Sequence, residues 1–212
     1  MGLFGLPKEI RFTIYGLILT APDPVYIFQD KGSPVESFSP RKPRRWLSLL
    51  CTSQQVRDEA AAVVFGTNCF NLVDTTRNEA NILHSFLCSI GSENAAKLKH
   101  LCISFPIAST VQHKNEPTKV NLCEHSLRIL NLLRERCTTL NKLELYVHNK
   151  TFQSIISTDD RSLIHEALRQ VNEQIKSIPS RIMPTVRLYH GIAEETTETM
   201  QEFGWEVRQG DR

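Results

Sequence analysis

Leu98-Lys-His-Leu101-Cys-Ile103 is followed by Leu140-Asn-Lys-Leu143-Glu-Leu145 and then by Ile182-Met-Pro-Thr-Val186-Arg-Leu188, and the reading of these three stretches decides the fold. Each ends in apolar residues at alternate positions, the pattern of a strand with one buried face. The central positions 101, 143 and 186 are 42 and 43 residues apart. Helical patterns lie between them: Leu122, Ile129, Leu130 and Leu133, then Leu163, Ala167, Leu168, Val171 and Ile175. Asp159 is placed to cap the second of these helices and Pro179 to stop it. A helix over 194–203 and a short strand over 205–207 complete the second half. Repeated strand–helix units imply parallel strands joined by right-handed crossovers, hence an α/β fold. Three irregular units leave a leucine-rich-repeat-like sheet as one form it can take.

The first half reads more loosely. Pro7 opens a helix over 7–19, where a missing N–H costs nothing. Ile10, Ile14, Leu17 and Ile18 form one apolar face. Phe12, Tyr15 and Leu19 form a second stripe, and a helix apolar on two sides must be covered on two sides. Val25 to Phe28 reads as a short strand and 30–45 as a proline-rich loop. A helix over 46–65 with Leu49, Val56, Ala60 and Val63 on one face would be closed by a left-handed Gly66. A strand over 69–73 and a helix over 83–90, ended by Gly91, follow.

Composition narrows the function classes. The 212 residues are 41% hydrophobic and 23% charged, with 25 basic and 23 acidic side chains. That is an ordinary globular composition, not a disordered or fibrous one. The longest apolar run, Ala60 to Phe65, is far short of the roughly 20 residues of a membrane-spanning helix. Lys8, Glu9 and Arg11 interrupt any signal-peptide core, so the expected location is intracellular, in cytoplasm or nucleus. Six cysteines, at 51, 69, 88, 102, 123 and 137, are never closer than 14 residues apart. Without a Cys-x-x-Cys pair there is no zinc-knuckle or thioredoxin spacing. They read as reduced small hydrophobes, and no metal or cofactor is expected.

Chemistry-bearing motifs are thin. Cys102 lies two residues from His100, and Cys123 two from His125. A Cys–His nucleophile also needs an orienting third group, and the face of Cys102, out of phase with Leu101 and Ile103, is undecided. Asp159-Asp160 reads as a helix cap. No phosphate-binding, nucleophile-elbow or zinc-protease motif occurs. The catalytic list is therefore empty, and the chain is read as a non-enzyme. Arg57 and Glu59 are expected on the exposed side of their helix, in a salt bridge to a neighbour. Arg41, Lys42, Arg44 and Arg45 form a basic loop that would serve nuclear import or nucleic-acid contact, or simply solvation. Ser33-Pro34 and Ser39-Pro40 offer phosphorylation dipeptides.

Three stretches together resemble a fungal family with an F-box-like N-terminus and no established general activity. They are Leu6-Pro-Lys-Glu-Ile-Arg-Phe-Thr-Ile-Tyr15, then Leu49-Leu50-Cys51 with Gln55-Val-Arg-Asp-Glu-Ala60, and then Val64-Phe-Gly-Thr-Asn-Cys-Phe70 with Ser89-Ile90-Gly91. They cover about residues 3–105. The resemblance implies an F-box-like helical part over 1–95 leading into βα repeats over 96–212, sharing one core. It also implies a protein-interaction role: an adaptor or accessory subunit of a larger complex, docking through Ile10, Phe12, Ile14, Tyr15 and Leu19. Its partner would be the linker protein of a cullin ubiquitin ligase, making the chain a substrate receptor, or an enzyme subunit such as a tRNA-type adenosine deaminase. The long loop after Leu19 departs from the usual F-box. A nucleic-acid binder acting through loop 41–45 is the remaining reading, and no membrane partner is expected.

Overall fold

The β-strands step across one sheet almost in chain order. The computed structural model describes residues 2–43, 45–73, 78–111, 118–147, 160–180, 182–189 and 192–210. Strands β1 (Val25–Phe28), β3 (Cys69–Leu72), β4 (His100–Ser104), β7 (Lys142–Val147), β8 (Met183–Leu188) and β9 (Glu206–Gln209) lie side by side and all parallel. β2 (Glu36–Phe38) adds an antiparallel edge beside β1. Helices α1 (Lys8–Leu19), α2 (Gln54–Thr67), α3 (Glu79–Ile90), α4 (Ser92–Ala95), α5 (Glu124–Arg136), α6 (Arg161–Lys176) and α7 (Glu194–Glu202) fill the connections. The α/β expectation therefore holds, with a mostly parallel sheet and helices between its strands. A leucine-rich-repeat-like form is not confirmed. The connections differ in length, and a hairpin of β5 (Ala108–Val111) and β6 (Lys119–Leu122) interrupts the series.

Strand order explains the distribution of side chains. Strands stepping one way through crossovers of one hand place the connecting helices on one face. The residues on that face, such as Ile27, Phe70, Leu101, Leu143 and Val186, are buried. They belong to one hydrophobic cluster that runs from Tyr15 to Trp205 and crosses residue 95 without interruption, since β3 pairs with β4. The alternate residues point the other way and are mostly polar. Parallel sheets usually have both faces covered and read as continuous apolar runs. These strands alternate because, among the described residues, no helix covers their other face.

The N-terminal reading needs correction in four places. On α1 the buried face is Arg11, Tyr15 and Leu19, and the stripe of Ile10, Leu17 and Ile18, with Ile14 half-buried, is the outer one. Tyr15 and Leu19, expected to meet a partner, are fully buried in the core. Hydropathy could not choose between two apolar stripes; polar handles chose. Arg11 Nε and Nη2 donate to the two carboxylate oxygens of Glu59 at 2.9 and 2.5 Å, and Tyr15 Oη donates to Glu59 Oε2 at 3.1 Å. Arg11 Nη1 also donates to the Leu6 carbonyl at 2.7 Å. Glu59 thus clamps α1 onto α2, and its carboxyl is held down to about 2, chiefly by the Arg11 hydrogen bonds. Arg57 makes a separate tie, from Nε to the Leu50 carbonyl at 3.2 Å.

The single helix expected over 46–65 is two. Trp46–Cys51 is a 3₁₀ turn, and α2 starts afresh where Ser53 Oγ accepts the Val56 N–H at 3.3 Å. A serine that can cap a new helix competes with continuing the old one. Gly66 lies inside α2, which runs on to Thr67, whereas Gly91, at φ 80°, ends α3 as expected. Asn68 makes a glycine stop unnecessary. Its Nδ2 donates to the carbonyls of Val64 and Leu19, both at 2.9 Å, and its Oδ1 accepts the Ala21 N–H at 2.6 Å. Finally, the 30–45 stretch is not all loop, because it contains β2, whose Phe38 stacks on Tyr26 at 5.5 Å.

Candidate functional site

Two surfaces stand out. The first is the polar face of the sheet. Cys69, His100, Lys142 and Met183 form one row across β3, β4, β7 and β8. Asn71, Cys102, Glu144, Thr185 and Glu206 form the next, and Tyr146, Arg187 and Arg208 a third. A depression of about 440 Å³ opens over them, bounded by the 21–24 loop and Thr67.

Its centre is an ion network. Glu144, only 2% exposed, takes a hydrogen bond from His100 Nε2 at 2.9 Å, an ion pair from Lys142 Nζ at 2.9 Å and another from Arg187 Nε. Burial alone would raise this carboxyl. The bonds from His100, Arg187 and Lys142 outweigh it and hold Glu144 far below the usual carboxylate range. Beside this network the Sγ atoms of Cys69 and Cys102 lie 3.1 Å apart, and Cys102 Sγ is 4.0 Å from His100 Nε2. The Cys69 thiol holds the Cys102 thiol down to about 6 against the effect of burial, and hydrogen bonding to Cys102 together with burial raises Cys69.

This is not a nucleophile triad. Cysteine and carboxylate address the same ring nitrogen of His100, so the imidazole cannot take a proton from Cys102 through one nitrogen while Glu144 orients the other. Cys102 is also 0% exposed. The geometry instead offers two sulfurs and an imidazole converging on one point. The chain separates Cys69 from Cys102 by 33 residues, and only strand register joins them. Alternate polar positions inside successive apolar strands were the sequence signal for this face; the reading followed only the apolar half of the alternation.

The second surface is α1. Ile10, Leu17 and Ile18 are 48, 79 and 47% exposed, and Phe4 just before the helix 50%. Phe12 and Ile14 are half-buried. Of the expected docking residues only Ile10 is exposed, at about half of its surface. Lys8 Nζ sits over the Phe12 ring at 5.4 Å.

The basic loop does not converge on a common point. Arg41 forms a bidentate pair with Asp23 at 2.5 and 2.6 Å. Lys42 donates to the Ile18 carbonyl at 2.6 Å and lies over the Trp46 ring. Arg45 is exposed, and Arg44 lies outside the described residues. Ser39 is buried, so the Ser39-Pro40 dipeptide is closed to a kinase in this fold. Asp160 caps α6 through the Ser162 N–H at 2.9 Å; Asp159, expected as the cap, lies outside the described residues. Cys123 stands before α5, half-buried. An apolar pocket of about 340 Å³ lies between the 3₁₀ turn, α2 and α3, lined by Leu47, Leu50, Phe65, Phe70 and Phe86. Among the described residues, no helix is long and apolar enough to cross a membrane. Comparison with protein-family models, curated proteins and solved structures finds no match.

Proposed function

We propose that the protein is a non-catalytic interaction module that docks through the outer face of α1. The observation that carries this reading is the stripe Ile10, Ile14, Leu17 and Ile18. Four of the seven large exposed apolar residues among the described ones, counting Phe4, fall within residues 4–18. Clustered exposed apolar side chains mark interaction surfaces, whereas scattered ones do not. Covering Leu17 and the half-exposed Ile10 and Ile18 is worth about 4 kcal/mol before association costs. Arg11, Tyr15 and Glu59 hold the helix in place, so the surface is preorganised. Lys8 and Lys42 flank it, which fits a protein subunit with an apolar groove and an acidic rim. The resemblance to F-box-like chains points to a ligase linker protein as that subunit; the long 20–45 connection points to an accessory role beside an enzyme.

The test uses Leu17→Asp/Ile18→Asp, which alters exposed residues only. The full chain and this variant are compared by size-exclusion chromatography with purified linker–cullin complex and with a tRNA-type adenosine deaminase. Stoichiometric co-elution of one of them with the parent chain and not with the variant supports the reading. Equal binding by both chains, or self-association that the variant leaves intact, overturns it.

A further inference from the structure

We propose that Cys69, His100 and Cys102 form a zinc site whose fourth coordination position opens onto the polar face of the sheet. It is independent of docking through α1. The sulfurs of Cys69 and Cys102 and a ring nitrogen of His100 all lie within 4.8 Å of one another. Tetrahedral zinc, with Zn–S about 2.3 Å and Zn–N about 2.0 Å, places its sulfurs about 3.8 Å apart and sulfur about 3.5 Å from nitrogen. The distances here are 3.1 and 4.0 Å, on either side of those values. The remaining pair, Cys69 Sγ and the His100 ring nitrogen, lies within 4.8 Å, and adjustments on the order of 1 Å, supplied by rotation of the half-buried Cys69 and His100 side chains, bring all three donors to tetrahedral spacing.

The donor set selects the metal. Two thiolates and an imidazole favour a borderline or soft cation over magnesium or calcium, which want oxygen. The carboxylate beside His100, Glu144, is already neutralised by Lys142 and Arg187, and Asp23 across the depression by Arg41. Binding balances simply: Zn2+ displaces the protons still held by the two thiols and takes the Nε2 lone pair of neutral His100. The ring proton moves to Nδ1, and Glu144 exchanges its bond from His100 for its remaining bonds from Lys142 and Arg187. The dication and two thiolates sum to zero, so the site adds no net charge beside those cations. Cys69 and His100 line the depression, which leaves the fourth position to water or to a ligand entering from that side.

The full chain, reduced and stripped of metal, is titrated with Co2+ as a spectroscopic probe and then with Zn2+ against a chromophoric chelator. One Co2+ per chain is expected, with sulfur-to-cobalt charge transfer and the visible bands of a tetrahedral ion, displaced by Zn2+. Cys69→Ser and His100→Gln, both at half-buried positions, should each weaken Zn2+ binding about tenfold or more, on the scale of losing site groups. Cys51→Ser/Cys88→Ser, at exposed positions away from the site, should leave it unchanged. The proposal is overturned by absence of one-to-one binding in folded protein, by undiminished affinity in Cys69→Ser, or by loss of affinity in Cys51→Ser/Cys88→Ser. Circular dichroism of each variant confirms that the fold is retained. Loss of two hydrogens by mass under mild oxidation, with no Zn2+ taken up by the reduced chain, also overturns it and makes the pair a disulfide instead.

Discussion

Asn68 is the joint between α1 and the sheet, and its removal gives a sharp test of the packing of this corner. The side chain is 1% exposed and serves three backbone groups: the Leu19 and Val64 carbonyls and the Ala21 N–H. In Asn68→Ala the Val64 carbonyl keeps the backbone N–H of residue 68 at 3.4 Å. The Leu19 carbonyl and Ala21 N–H lose the partners that Asn68 gave them. Each orphaned buried group costs about 1–3 kcal/mol, so a loss of about 3 kcal/mol is expected. For a chain of this length that lowers Tm by about 6–12 °C. Asn68→Asp separates the hydrogen-bond reasoning from mere loss of volume. It keeps the acceptor for Ala21 but turns a carboxylate oxygen toward two carbonyls. Such a carboxyl is raised in the folded state, so its penalty is present at neutral pH and is relieved as pH falls through the folded value. Thermal and urea unfolding of the three chains between pH 7 and 4, each variant referred to the parent at the same pH, should give the order Asn, Ala, Asp at neutrality. The gap between Ala and Asp should narrow on acidification. An alanine variant within 0.5 kcal/mol of the parent, or an aspartate variant as stable as alanine at pH 7, would refute the reasoning.

Other outcomes follow from the same contacts. The Glu59 carboxyl is depressed in the folded state, so its contribution is present above the ordinary carboxylate range near ~4.3 and is lost as pH falls toward 2; Glu59→Gln should flatten that acid limb in pH-dependent unfolding. In a double-mutant cycle, Arg11→Met and Glu59→Gln should be non-additive for stability, because each already breaks the same bidentate pair. Glu144→Ala leaves Arg187, Lys142 and His100 facing one another on the sheet. Because both cations reach water, the expected cost is about 2 kcal/mol, below the range for a fully buried pair, as read by urea unfolding. For the basic loop, Arg41→Ala/Lys42→Ala should leave the salt dependence of any RNA or DNA binding unchanged, since both side chains are already engaged within the protein; a flatter slope by fluorescence anisotropy would restore the nucleic-acid reading.

What the sequence determined by itself is the class of fold and the identity of most strands. Apolar residues at alternate positions in 101–103, 143–145 and 186–188 can serve only a strand with one buried face, and the helical spacing between them leaves parallel crossovers as the way to join them. Strand β9 and helix α7 were legible for the same reason. Local patterns failed where the decision depended on a partner distant in the chain. The helical period of α1 leaves two apolar stripes, and Glu59, 48 residues from Arg11, fixed the buried side by receiving Arg11 and Tyr15. Ser53 split one helix into two, and Asn68 replaced a glycine stop, because side chains there satisfy backbone groups that periodicity does not count. The hairpin β5–β6 and the edge strand β2 are short segments stabilised by a neighbour rather than by their own pattern. Cys69, His100 and Cys102 show the limit most clearly. Their spacing in the chain matches no metal-ligand pattern, and only the register of two parallel strands, fixed by burying Phe70 and Leu101 on the opposite face, brings two sulfurs and an imidazole to one point.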